Sequence, residues 1–459
     1  MTLEDSFSEY NMLEYSEACV TMANDLVNTR RKVMPFDTLV IPSRGAFPFF
    51  LGMTYSLKKL IPFGDDFKEI YDSIAIQPTL QPLMPRNLDI STDIHRKDLR
   101  VLLIPFTADL NIPKFDPDES NEEYTEKTRE YWARVTHAFF KEPKLRSKDP
   151  YFKTFAEIIL GNLEGRDKTV QIYEQFPQIG RFAMIDTVIS GRASNDILGA
   201  FDQISAEQQQ RGIIDHANIS PFAFLIVDEN SEKLEKHQGF NAYLKKKKDK
   251  FMAQLYPIPR IVSEDKNSAL LGVSATVYPS LMRASKSMEY DGREFFIGAG
   301  SWHVNSESAQ FKHFLKFMEM VYSGIDVIVA RYGLGSEHSQ KFIEEFNGRR
   351  NEFIEVSDQS GVLNSSESDI ASDPRLKNLN RGATVIYETR SHVVHVPFSD
   401  KITKDLVSEI CGYPSVQCKV VFKTDIGSDI QDRYEPPKTP TRKSAMIPRN
   451  YLLQVIRKA

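Results

Sequence analysis

Apolar positions recur at helical spacing from about Tyr10 to Lys32, with Leu13, Cys19, Met22 and Leu26 on one face, and predict a first helix. A short run of β-branched and aliphatic residues follows in Thr38-Leu-Val-Ile-Pro-Ser-Arg-Gly-Ala-Phe47, read as a buried strand, a tight loop and an apolar helix over Pro48 to Leu60. Leu99 to Phe106, Arg181 to Asp186 and Phe222 to Asp228 are further runs of this kind, and their length and composition favour central strands of a parallel sheet. Between them, Asn195 to Ile204 reads as a helix. Strands alternating with helices indicate α/β layering.

Residues 107–180 break this rhythm. They carry dense charge and amphipathic helical pattern over Glu122 to Lys141 and Tyr151 to Leu163, and read as a helical insertion or an enlarged lid. Pro257 and Pro259 suggest a boundary, so residues 1–255 form one expected domain. Residues 256–433 form a second, mixed α/β domain. Its expected elements are a strand at Glu294 to Ile297, a helix at Ser308 to Tyr322, a strand at Ile325 to Ala330, a helix at Ser336 to Phe346, and strands at Ala383 to Tyr387 and Val393 to Pro397. Ser357 to Asp373 reads as a loop. Residues 434–459, opening Tyr434-Glu-Pro-Pro-Lys-Thr-Pro, form a basic, proline-rich extended tail.

Composition narrows the class. The chain has 459 residues, 41% hydrophobic and 26% charged, with a formal net charge of -5. That is enough apolar material for real cores, and the charge balance argues against a surface devoted to polyanions. Three cysteines give no disulfide framework, so a reducing, cytoplasmic setting is expected. The acidic first 14 residues do not look like a secretory signal, and the apolar runs are too short to cross a bilayer, so no membrane association is expected. Lys245 to Lys250 and the tail are the basis for a nucleic-acid contact, though a lysine run at a solvated helix end needs no such partner. HExxH, Walker A, GxSxG and zinc spacings are absent from the sequence.

The most informative segment is Phe182-Ala-Met-Ile-Asp-Thr-Val-Ile-Ser-Gly-Arg-Ala-Ser194. Four apolar residues bury a strand, Asp186 sits near its carboxyl end, and a small-residue loop leads into a helix opened by Ser194 and Asn195. Small residues let a backbone approach a phosphate, and successive N–H groups with the helix N-terminus supply partial positive charge. Ser190 and Ser194 can add hydroxyl donors. Asp186 can accept from sugar hydroxyls or help hold a hydrated Mg²⁺. Weaker candidates are the turns Gly298 to His303 and Tyr332 to His338. Asp228 and Glu229 read as solvated caps after a strand, and His392 and His395 fall on opposite sides of a strand.

This layout resembles the phosphoribosyl-diphosphate (PRPP) signature of type I phosphoribosyltransferases, where a hydrophobic strand ends in acids and a small-residue loop wraps the 5-phosphate. Asp186 matches the first acid, and Ser190, Gly191, Arg192, Ala193 and Ser194 match the phosphate loop. Thr187 stands where the family has its second acid, and Arg192 where the loop has a glycine. Ser43-Arg44-Gly45 resembles the family's diphosphate turn, again after a buried strand and before an apolar helix. The two motifs occur in the family's order, and the resemblance covers at most residues 30–235. Such turns also serve flavodoxin-like and Rossmann-like domains, where small residues satisfy sterics alone.

The resemblance implies a mostly parallel phosphoribosyltransferase-like sheet flanked by helices. It implies an enzyme that binds PRPP or a nucleoside 5′-phosphate with Mg²⁺ and transfers or releases the sugar at C1. Asp186 and Arg44 would then be catalytic, Asp186 would hold the metal indirectly, and Ser43, Arg44, Gly45, Asp186, Thr187 and residues 190–194 would bind substrate. Loss of the second acid at Thr187 points instead to a non-catalytic nucleotide sensor, or an effector module of a bacterial conflict or antiviral-defence system. A protein partner or oligomer stays open.

Overall fold

The computed structural model describes residues 6–42, 44–76, 98–104, 121–153, 174–211, 220–231, 252–262, 309–334 and 340–359. It also describes isolated positions (91, 106, 234, 240, 243 and 245) and the short strands named below.

Helix α1 (Glu9–Asn28) starts where the Ser8 hydroxyl accepts the Asn11 N–H at 3.2 Å, with Glu9 in the first turn. Its buried stripe is Met12, Tyr15, Cys19, Met22 and Leu26, the 3–4 spacing of one helical face. Strand β1 (Thr38–Ile41) is followed by a 3₁₀ turn, Arg44–Ala46, and helix α2 (Phe47–Leu60), which has Pro48 in its first turn. Helix α3 (Asp65–Ser73) leads into strand β2 (Ile74–Ile76), and strand β3 (Leu99–Leu103) comes next. The chain then forms α4 (Asn121–Ala138), the short α5 (Pro143–Arg146), β4 (Phe182–Val188), α6 (Arg192–Gln210), β5 (Phe222–Asp228) and β6 (Ala253–Ile258).

The six strands make one parallel sheet in the order β2-β3-β1-β4-β5-β6. Alternate residues feed two cores, as the strand period requires. Leu39, Ile41, Ala183, Ile185, Phe224 and Ile226 pack towards α1 and α2 on one face. Val40, Leu102, Phe182, Met184 and Leu225 pack towards α4 and α6 on the other. Helices on both faces of a parallel sheet define an α/β protein.

Several expectations change. The boundary at residue 255 falls inside β6, which pairs with β5 from Ala223↔Ala253 to Asp228↔Ile258. Pro257 is tolerated because β6 is an edge strand, where a missing N–H leaves no ladder bond unmade. The strand expected at Ile325 to Ala330 is the second half of one long helix, α7 (Ala309–Leu334). Phe314, Met318, Val321, Ile325 and Ile328 continue a single helical stripe into the core beside α1. Ile325 to Ala330 is apolar except for Asp326, so periodicity alone does not separate it from a buried strand. Gly324 lets α1 approach closely, since a Cβ there would lie 2.3 Å from Ser16 Oγ, and that hydroxyl donates to the Val321 carbonyl at 3.1 Å. Helix α8 (Gln340–Gln359) packs on α7 and adds Phe346 and Phe353 to the same core, so its last turns replace the start of the loop expected from Ser357. Buried residues of 309–359 thus pack into the same core as the N-terminal sheet.

Past β6 the described strands are short and antiparallel. β7 (Val277–Pro279) pairs with β10 (Trp302–Val304), and β8 (Lys286–Tyr290) with β9 (Arg293–Ile297). β11 (Ala383–Glu388), β12 (Val393–Pro397), β13 (Lys419–Thr424) and β14 (Leu453–Ile456) form a sheet in the order β12-β11-β13-β14. β14 lies within the expected tail. No helix among the described residues is long and apolar enough to cross a membrane.

The described part of the 107–180 segment is helical and supplies a core layer. Tyr131, Trp132, Phe139, Phe152 and Phe176 are buried against the sheet. Arg134 bonds Glu207 and Glu130, tying α4 to α6. Arg146 is fully buried, its guanidinium donating to the carbonyls of Phe176 (2.6 Å), Lys141 (3.1 Å) and Phe139 (3.2 Å). The Phe139 ring lies 4.8 Å away, and burial lowers the Arg146 pKa to about 10.

Two histidines make stability depend on pH. His137 stacks on Phe140 and His313 packs 4.8 Å from the Phe353 ring. Burial first, then Lys141 and Lys316 respectively, push both down to about 4. The unfolded chain therefore binds more protons than the fold below about pH 6.5, and stability falls as pH drops from there to 4. The expected loss at pH 4 is on the order of 2–3 kcal/mol per histidine. Urea unfolding at pH 7 and pH 4.5 measures it, and His313→Gln should remove about half of the histidine-dependent difference.

Candidate functional site

In the sheet order, β1 leads to strands on one side and β4 to strands on the other, so the chain direction of winding reverses between these neighbours. Ligands of open α/β sheets bind at such switch points, beyond the carboxyl ends of the strands. The register Thr38↔Phe182, Leu39↔Ala183 and Val40↔Met184 brings those two ends side by side. The Arg44–Ala46 turn packs against β4, so the two loops singled out in the sequence leave the same end of the sheet from adjacent strands. Gly45 is buried there. Ser43 lies outside the described residues, and Arg44 is described by its backbone.

Along β4, Asp186 shares the side of Phe182 and Met184 and so faces α6. It is 1% exposed. The Thr187 N–H donates to its Oδ1 at 2.9 Å, and the Ser194 hydroxyl to its Oδ2 at 2.8 Å. The carboxylate thus fixes the first turn of α6 from inside and complements the helix dipole. Ser194 is buried by this contact, and its proton points at Asp186 instead of the crevice. Thr187 is also buried and, by alternation, turns towards the opposite face.

The loop between β4 and α6 is built on Gly191, whose φ of 75° and ψ of -9° put it in the left-handed region. A Cβ there would lie 2.1 Å from Phe240 Cδ1, so both backbone and packing require glycine. The Arg192 N–H reaches Ser190 Oγ at 3.4 Å, and Gly191 O accepts the Asn195 N–H at 2.9 Å to start the helix. Ser190, Arg192 and Ala193 are half-buried at the rim. First-turn N–H groups have no intrahelical acceptor, and α6 opens without an acidic residue, the arrangement that suits an anion.

Three contributors had no sequence signal. Ser231 donates to the Ile189 carbonyl at 2.5 Å, Phe240 covers Gly191, and Arg129 of α4 pairs with Asp196 of α6 at 2.5 Å. Each comes from a segment far along the chain, and only the fold brings them to the loop. Asp228, expected as a solvated cap, is 1% exposed. Its Oδ2 accepts the Ile261 N–H at 3.0 Å, and burial raises its pKa. The other candidates lie on other elements. Trp302 and His303 lie in β10, Tyr332 in the last turn of α7, and His395 in β12. Gly298 to Ser301, Gly335 to His338 and His392 fall outside the described residues, and of Lys245 to Lys250 only Lys245 is described.

Asp186 already has a donor on each oxygen, and among the described residues no group of three or more His, Cys, Asp or Glu could hold a metal ion. No protein-family model, curated protein or solved structure matches the chain.

Proposed function

We propose that the protein binds a 5′-phosphorylated ribosyl ligand, PRPP or a nucleoside 5′-phosphate, in the crevice beyond β1 and β4. The observation that carries this reading is that the two candidate loops follow adjacent parallel strands, β1 and β4, at the switch point of the sheet. The phosphate would rest on the backbone of residues 190–194 and the first turn of α6. The turn at Arg44 and Gly45 would meet a diphosphate. Mg²⁺ would arrive with the ligand, held by phosphate oxygens and water.

Binding without turnover, as in a nucleotide-sensing regulator or effector module, is the better-supported use. The carboxylate that meets ribose in the resembling family is here buried and bonded to Thr187 and Ser194, and Thr187 supplies no second acid. The catalytic reading, transfer or release of the sugar at C1, draws support from the Arg44 turn beside β4. There, stabilising the departing diphosphate would be the main effect.

The two uses separate on Asp186→Asn. An amide keeps an acceptor for the Thr187 N–H, and the Ser194 hydroxyl can reorient to accept from its NH₂. The expected result is that PRPP or a nucleoside monophosphate raises Tm, diphosphate is not released, and Asp186→Asn binds within about threefold of wild type, under 1 kcal/mol. Diphosphate release from PRPP that Asp186→Asn abolishes would establish the catalytic use instead.

A further inference from the structure

We propose that Ser231, Phe240 and Tyr243 form a clasp that holds the loop after β4 in its ligand-accepting shape, with Phe240 as the positioning residue. The proposal rests on the reading of residues 190–194 as a phosphate-binding loop, and it adds a control over that loop from a different part of the chain.

Gly191 has no side chain to restrict it, and a glycine left unsupported samples many conformations. Phe240 takes the place of that missing side chain. Its Cδ1, Cε1 and Cγ would lie 2.1, 2.7 and 2.9 Å from a Cβ on Gly191, and the ring is fully buried. Two residues earlier in the chain, the Ile189 carbonyl accepts the Ser231 hydroxyl at 2.5 Å. On the far side, Phe240 stacks on Tyr243 with centroids 6.4 Å apart and planes at 20°. The Tyr243 hydroxyl donates to Asp202 Oδ2 at 3.0 Å, and Ser220 donates to Oδ1 of the same carboxylate at 3.2 Å.

Asp202 lies on α6, whose first turn is part of the loop. The three residues therefore bracket the loop at a carbonyl before Gly191, at Gly191 itself, and on the helix that follows. A ligand that needs the ordered loop favours the closed clasp, and a closed clasp favours the ligand by the same factor. Loss of the contacts made by Ser231, Phe240 or Tyr243 is then a route by which the site is weakened.

Amide hydrogen exchange of the full chain tests the clasp, and calorimetric titration with PRPP and Mg²⁺ tests its effect on the site. Phe240→Leu is expected to speed exchange of the 190–195 amides about tenfold or more, with β1, β5 and α1 unchanged. Phe240→Met, which refills most of the volume, should restore most of the protection. Tyr243→Phe keeps the stack and removes only the Asp202 bond, so its effect should be smaller and in the same direction. The PRPP Kd should rise about tenfold in Phe240→Leu. Loop exchange that stays at the wild-type rate, or rises equally in β4, β5 and α1, overturns the proposal. Should wild type bind neither PRPP nor a nucleoside 5′-monophosphate, the ligand reading fails while the exchange pattern still decides the clasp.

Discussion

Gly191→Ala is expected to lower stability by about 2–4 kcal/mol, from left-handed backbone strain and overpacking together. In Tm this is roughly 5–10 °C for a unit of this size. The backbone at Gly191 has φ of 75°, where an L side chain is strained, and the added methyl meets the Phe240 ring before it meets anything else. Relief requires either Phe240 to leave its buried position or the loop to flip, and both deform the first turn of α6. Ligand affinity should therefore fall more than tenfold alongside Tm. Gly199 supplies the internal control. It lies on the exposed side of the same helix, and a methyl added there would have nothing within 4 Å, so Gly199→Ala should stabilise by about 0.5–1 kcal/mol. Thermal unfolding of both variants reads the opposite signs directly. A Gly191→Ala protein as stable as wild type would mean that the loop does not hold its left-handed turn.

Arg146→Ala should cost about 3–5 kcal/mol, from the cavity left by a fully buried side chain and from buried carbonyls that lose their donor. The side chain is a hub: it joins the carbonyl after α4, the carbonyl at Lys141 and the carbonyl of Phe176, with the Phe139 and Phe152 rings against its guanidinium. Truncation removes a donor from the Phe176 and Lys141 carbonyls, while the Phe139 carbonyl keeps the Ile179 N–H, and it opens a cavity among aromatic rings. Arg146→Lys retains a charge but not the planar fork that reaches three acceptors, so about 1–3 kcal/mol is expected. Urea unfolding at pH 7 ranks the series as wild type, Lys, then Ala. Equal stability of all three would show that residues 139–176 are not held to the sheet through Arg146. Ligand affinity should change little in Arg146→Lys, because the Arg146 guanidinium is spent on the carbonyls of residues 139, 141 and 176, away from the loop at 190–194.

The sheet was largely legible in the sequence because a buried parallel strand is a short, mostly apolar run, and β1, β3, β4 and β5 are such runs. β6 was not, because Ala253-Gln-Leu-Tyr-Pro-Ile258 mixes polar residues and a proline, as an edge strand can. α7 was split in two by its own burial: Ile325 to Ala330 has apolar neighbours on most sides, which erases the polar half of a helical pattern. The small-residue loop at 190–194 was visible from residue type, and so was the need for a backbone approach. What the loop rests on was not. Phe240 is one aromatic among 30 phenylalanines, and nothing in its neighbours marks it as the cover of Gly191. Asp186 was recognised by position, but its engagement with Ser194 follows from the strand's alternation meeting the first turn of α6, a three-dimensional fact.

The most direct test is amide exchange with and without a saturating ligand drawn from PRPP and the nucleoside 5′-monophosphates, each with Mg²⁺. Binding at the switch point predicts slower exchange confined to residues 41–46 and 189–196, the two loops beyond β1 and β4. No protection by any of these ligands, or protection that falls elsewhere and spares both loops, would contradict it.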